Sequence, residues 1–173
     1  MRLFIAVNFD EKTKDNISGV QERLRALGKG NFTRRDNMHL TLAFLGELPE
    51  SDPDSLKAIM NKLEVPDMPL EFSRVGCFRG DSELWWIGLK ENKELSYLQE
   101  KLITLLKDAG FKPDNKKFKP HITLARKMHI GSLDSKQILP KPFKTRADSI
   151  SLMLSHRPNG RLTYTELYKK SGK

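Results

Sequence analysis

The 173 residues, 38% of them hydrophobic, fit one globular unit, since domains usually run about 100 to 200 residues and bury most of their apolar surface at that size. The single cysteine, Cys77, excludes an intramolecular disulfide and a thiolate metal cluster, and no stretch approaches the roughly 18 apolar residues of a membrane span, so a soluble, cytoplasmic protein is expected. A net charge of +9 and a pI near 9.7 favour polyanionic ligands, yet the lysines are spread out, with small clusters at Lys112, Lys116, Lys117 and Lys119 and at Lys169, Lys170 and Lys173, which equally suits a solvated surface.

The start, MRLFIAVNFDEKTK, holds an apolar run of strand length, Leu3 to Val7, too short for a secretory segment before charges take over. From Glu11 to Leu27 apolar residues recur at spacings of three and four, the mark of a helix, with Gly28 as a left-handed stop. A basic loop then leads into the strand HLTLAFLG at 39 to 46. Pro49 and Pro53 break the chain before a further helix over 54 to 63. Leu70 to Phe78 and Leu84 to Leu89 read as strands joined across RGDSE, with Cys77 buried and at least one of Trp85 and Trp86 in the core. Lys93 to Ala109 is helical and ends at Gly110, and a second basic loop runs into HITLARKM at 121 to 128. Residues 132 to 142, SLDSKQILPKP, read as loop or a single turn. Ser149 to Ser155 and Leu162 to Tyr168 pair across HRPNG.

Self-similarity is the strongest signal. HLTLA at 39 matches HITLA at 121, an offset of 121 − 39 = 82. The same offset carries Leu3–Val7 onto Trp85–Leu89 and Gly28 onto Gly110. Each half therefore reads as strand, helix, glycine stop, basic loop and a strand bearing His-x-Thr. Residues 1 to 173 form a single unit of two internal repeats, which implies a pseudo-twofold molecule.

Strands alternate faces, so His39 and Thr41 point one way, as do His121 and Thr123, while Leu40, Leu42, Ile122 and Leu124 point into the apolar layer. If the pseudo-twofold axis runs between the strands, two imidazoles and two hydroxyls face one cleft. That arrangement suits in-line displacement at phosphorus. One imidazole takes a proton from the entering oxygen and the other gives one to the leaving oxygen, with His121 as base and His39 as acid or the reverse. Threonine hydroxyls hold the non-bridging oxygens.

Arg126 lies five residues beyond His121, an odd spacing that turns it away unless a bend or bulge intervenes. Its guanidinium otherwise suits two phosphate oxygens. Phe44 holds the same place in the first repeat and could stack on a base. Four His and eight Thr give roughly 0.2 chance His-x-Thr matches, so one would mean little and two in matching contexts mean much. His129 and His156 lack a partner motif and read as surface residues. No carboxylate or Cys/His cluster accompanies either motif, so neither metal nor cofactor is expected.

These motifs, with RLFIAV, FTRRDNMHLTLAFLG, ELWWIGL, the helix ending DAGF and FKPHITLAR, resemble the 2H phosphoesterase superfamily, within it the RNA 2′,3′-cyclic phosphodiesterases, also called 2′-5′ RNA ligases. The resemblance implies an α+β fold of two antiparallel sheet lobes around a cleft with helices outside. It also implies His39 and Thr41 facing His121 and Thr123, Arg126 on the phosphate, no metal, and a ring-opened 2′-phosphate product. The family often has Trp, Val and Pro where this chain has Phe32, Thr33 and Arg35. Arg34 is kept as a substrate-binding candidate, with a second arginine beside it.

The expected activity is hydrolysis of 2′,3′-cyclic phosphate ends of RNA by a monomer, with no membrane partner. An RNA hydroxyl replacing water would give ATP-independent 2′-5′ joining, consistent with the missing P-loop motif. Two alternatives stand beside it. One is a relative acting on a small cyclic nucleotide or ADP-ribose cyclic phosphate. The other is a non-catalytic RNA-binding module, which would not need paired imidazoles.

Overall fold

The computed structural model describes residues 1–172; Lys173 of the C-terminal basic cluster lies outside the described residues. The first half contains β1 (Arg2–Asn8), α1 (Glu11–Arg25), β2 (Asn31–Phe32), a 3-10 turn over Arg35–Asn37, β3 (His39–Glu47) and α2 (Asp52–Asn61). The second contains β4 (Met68–Arg79), β5 (Glu83–Leu89), α3 (Lys93–Asp108), β6 (His121–Met128), α4 (Ser135–Ile138), β7 (Phe143–Ala147), β8 (Ser149–His156) and β9 (Thr163–Ser171). The fold is α+β. One sheet has the order β3-β1-β8-β9, the other β2-β6-β5-β4-β7, and every pairing is antiparallel.

Both long helices start where a polar side chain satisfies an orphan backbone donor. Asp10 accepts from the Thr13 amide at 2.8 Å and Asn92 from the Leu95 amide at 2.9 Å, caps of about 1 kcal/mol each. Their ends differ. Gly110 has φ +87°, the left-handed stop expected, but Gly28 is not left-handed. There the helix closes earlier, on Ala26, whose amide donates to the Glu22 carbonyl at 3.1 Å, and the next amide, of Leu27, tightens back to the Leu24 carbonyl at 3.0 Å, so no left-handed residue is required. Pro53 is a starter rather than a breaker: it lies in the first turn of α2, where its missing N–H costs nothing. The helix therefore begins at Asp52 instead of Asp54. The stretch 132–142 is one turn of helix, as expected.

The two repeats exchange helices. On α1 the Thr13 hydroxyl lies 2.7 Å from that of Thr145 on β7, so the first half's helix backs the second half's sheet. The second half's α3 packs behind β3. One buried cluster runs through both layers, joining Leu3, Ile5 and Val7 of β1 to Leu24 of α1 and Leu98 and Leu102 of α3. Each sheet has its other face turned away from that core. Trp85 is core, with its indole N–H donating to the Glu83 carboxylate at 2.9 Å, while Trp86 lies on the opposite face. Cys77 is half-buried rather than buried, because β4 is leaving the core there: Gly76 and Phe78 on either side are half-buried too.

Candidate active site

In β3, Leu40 and Leu42 are buried and His39 and Thr41 are half-buried on the other face; in β6, Ile122 and Leu124 are buried and His121 and Thr123 are half-buried. Simple alternation then breaks. Thr41 pairs with Ala6 and Ala43 with Ile5, so Leu42 is an extra residue in β3. Thr123 pairs with Trp86 and Ala125 with Trp85, so Leu124 is an extra residue in β6. These are β-bulges at the same place in each repeat, 124 − 42 = 82. Each buries two successive residues, Leu42–Ala43 and Leu124–Ala125, and returns the next side chain to the histidine face. That residue is Phe44 in one strand and Arg126 in the other, and the charge of Arg126 acts on both imidazoles.

The ring orientations are also repeated. His39 Nδ1 lies 2.7 Å from the Asn37 carbonyl and His121 Nδ1 lies 2.5 Å from the Lys119 carbonyl, in each case the residue two before. A carbonyl only accepts, so Nδ1 carries the hydrogen and the neutral ring keeps its lone pair on Nε2. In His39 that Nε2 is 3.0 Å from the Thr41 hydroxyl. Asn37 is buried, and its amide donates to the Leu162 carbonyl at 3.1 Å, which anchors the loop that orients His39.

Aromatic rings surround both imidazoles. Phe4 lies 4.8 Å and Tyr164 5.0 Å from the His39 ring, centroid to centroid. Around His121 the neighbours are Phe78 at 5.1 Å and Trp86 at 6.2 Å. Trp86 lies flat over Gly76 and Gly88: a Cβ on either would come within 2.4 and 2.8 Å of the indole, so both strands need a glycine there. Burial pushes the His39 pKa down from 6.5 to about 4, against the Asn37 carbonyl, which favours the charged ring; the charges of His121 and Arg126 lower it further. Burial also lowers the pKa of His121, opposed by the Lys119 carbonyl and assisted by Arg126.

Other candidates are placed differently. Phe44 joins Phe4, Ala6, Met153 and Tyr164 in a small cluster on the His39 face, with the Arg2 guanidinium 5.1 Å from its ring centre. Arg34 donates to the Leu162 carbonyl at 2.9 Å and lies 3.7 Å from Asp36. Arg35, the second arginine, is tied to Glu11 and Asp15 of α1. His129 is exposed, and His156 lies 2.8 Å from the Thr165 hydroxyl. A concavity of about 750 Å³, lined by Leu45, Asp52, Ile59, Lys62 and Phe111 among others, holds none of the candidate residues. Both histidines stand instead on sheet faces turned away from the core, half-buried among aromatic rings.

A family model for the 2′-5′ RNA ligase superfamily matches residues 13–159. The chain belongs to this superfamily. It is 32% identical over 128 residues to the RNA 2′,3′-cyclic phosphodiesterase of Archaeoglobus fulgidus, covering 73% of this chain and 72% of the relative. The Escherichia coli protein of the same name is 27% identical over 169 residues, 96% of this chain and 93% of its own. The structure of Escherichia coli LigT complexed with 3′-AMP superposes with a TM-score of 0.83 at 24% identity, covering 99% of this chain and 97% of that one. TT0787 of Thermus thermophilus gives the same TM-score and identity. As a member of this superfamily, the chain carries its two His-x-Thr strands within the matched span. Phe4, Phe78, Trp86 and Tyr164 were not singled out as site residues by sequence reasoning, although Phe4 and Trp86 stand one repeat apart, 86 − 4 = 82.

Proposed function

We propose that the chain hydrolyses 2′,3′-cyclic phosphate ends of RNA to 2′-phosphates, without a metal, using His39 and His121 as an acid-base pair. The observation that carries this reading is the repeated imidazole geometry. Each Nδ1–H is spent on a carbonyl two residues back, which leaves Nε2 as the proton-exchanging atom of each ring, that of His39 beside the Thr41 hydroxyl, with the Arg126 charge acting on both rings. Water attacks phosphorus opposite the 3′ oxygen and gives its proton to the neutral Nε2 of one histidine. The P–O3′ bond breaks and the 3′ oxygen takes a proton from the other, protonated histidine. A 2′-monoester and a 3′-hydroxyl result, and proton exchange with solvent restores the pair.

Thr41, Thr123 and Arg126 hold the non-bridging oxygens, and an arginine cation beside two imidazoles favours an anion over a metal cation. Phe44 offers a stacking face for a base, and Arg34 adds positive charge near Leu162, two residues from Tyr164. Both repeats act as one monomeric unit over 1–173, because each supplies one imidazole. No helix among the described residues is long and apolar enough to cross a membrane, and we place the activity in the cytoplasm with its RNA substrates. The relatives' shared name and the 3′-AMP bound by LigT support a nucleotide end as substrate.

The test is turnover in EDTA of a short RNA ending in a 2′,3′-cyclic phosphate. A 2′-phosphate product is expected. No turnover of RNA alongside rapid opening of a small cyclic nucleotide would move the substrate class, and no turnover of either would reject the enzyme reading.

A further inference from the structure

Two glutamines outside the site hold the backbone feature that shapes it. Gln21 is only 5% exposed, on the apolar face of α1, where a buried amide needs a reason. Its Nε2 donates to the Leu124 carbonyl at 2.8 Å and to the Thr33 carbonyl at 2.8 Å. Leu124 is the extra residue of the β6 bulge. On α3, Gln99 Nε2 donates to the Leu42 carbonyl at 3.2 Å, and Leu42 is the extra residue of the β3 bulge. The two glutamines are not repeat equivalents: 99 − 82 = 17, one helical turn from 21. The same bond is thus reached from two different helix positions, each from one repeat's helix to the other repeat's strand.

We propose that Gln21 and Gln99 are positioning residues, Gln21 acting through Arg126 and Gln99 on the His39 strand. This rests on the two-histidine reading above. A bulge leaves one carbonyl out of ladder register, and a flattened ladder would turn every residue beyond it to the other face. For β6 that residue is Arg126. The Leu124 carbonyl also accepts from the Thr33 amide at 2.9 Å, so removing the glutamine donor loosens the bulge without orphaning the carbonyl, and Gln21→Met should fold.

The experiment is a double-mutant cycle on kcat/KM for a cyclic-phosphate RNA, with melting curves for every variant. Gln21→Met alone should cost about tenfold, the scale of one or two hydrogen bonds. In an Arg126→Ala background its cost should fall to less than about twofold, because the residue it positions is gone. Gln99→Met should keep its full cost in that background. Should Gln21→Met not fold, Gln21→Asn, one methylene too short to span both carbonyls, serves in its place. Equal cost of the Gln21 variant in both backgrounds, or a lowered melting temperature with unchanged kcat/KM, overturns the proposal. If wild type itself shows no turnover, it is the function reading that fails, and the same cycle is read on affinity for adenosine 2′-phosphate.

Discussion

The strand carrying His39 and the strand carrying His121 share their backbone down to the extra residue of the bulge and the carbonyl that takes each Nδ1–H. They differ in what the bulge delivers and in how deeply the imidazole sits. Beyond its bulge β3 presents Phe44, packed with Phe4 and Tyr164; β6 presents the exposed Arg126. His39 is the more strongly depressed of the two rings, driven to about 4 by burial in its aromatic cage. A duplicated scaffold thus sets two imidazoles in matching backbone surroundings, and single side chains outside the duplicated motif make one half aromatic and the other cationic.

The largest expected effect removes what the halves share. His39→Ala and His121→Ala should each lower kcat by about 10² to 10⁴-fold with the fold intact, and the double variant should be little worse than either single one, since the two act as a unit. Multiplying losses in the double variant would mean that the histidines work independently. Removing what distinguishes the β6 half should cost less. Arg126→Lys keeps the charge and loses the fork, so KM should rise about 10 to 100-fold, the worth of charge-assisted bonds to phosphate; an unchanged KM would remove Arg126 from the phosphate. On the β3 side, Phe44→Ala should cost up to about tenfold on substrates with a base and nothing on a minimal cyclic phosphate. Equal losses on both would end the stacking role.

The comparison also has a stability signature. His39 is ordinarily protonated near 6.5 when unfolded but only near 4 when folded, so between those values the unfolded chain binds more protons and stability falls as pH drops from 6.5 to 4. The loss should be at most about 3 kcal/mol. Urea melts at pH 7, 5.5 and 4 should show it in wild type and not in His39→Asn; the same slope in both would place the acid sensitivity elsewhere. Glu83 acts in a lower window. Burial would raise its pKa, but the amides of Ile130 and Gly131, the Trp85 indole and the Arg79 guanidinium together hold it from 4.5 down to about 2, so its contribution fades only as pH falls from 4.5 to 2.

Sequence period revealed the strands, the helices and the 82-residue repeat, because burial on one face writes itself into residue order. The need for a bulge was legible as well, from the odd spacing of His121 and Arg126. The aromatic cages were not: in runs such as Leu3–Val7 and Trp85–Leu89 nearly every residue is apolar, so the pattern does not say that Phe4 and Trp86 face the histidines while Leu3 and Trp85 face the core. Gln21 and Gln99 looked like ordinary helix polar residues, since their partners are 103 and 57 residues away. The ties of Arg35, the arginine beside the candidate Arg34, were not legible either, because its partners Glu11 and Asp15 belong to another element. Gly28 was misread because a helix can also close on a tightened last turn.

The pH dependence of turnover in EDTA tests the paired-imidazole account most directly. The kcat/KM profile, which reports the free protein, should be a bell lying below the usual imidazole value of 6.5, because burial lowers both histidines. The kcat profile should be a bell displaced to higher pH, because a bound phosphate anion favours the imidazolium. Two bells offset in that direction and unchanged by chelator are the predicted result; a flat profile, or activity lost in EDTA and restored by a divalent ion, would contradict it.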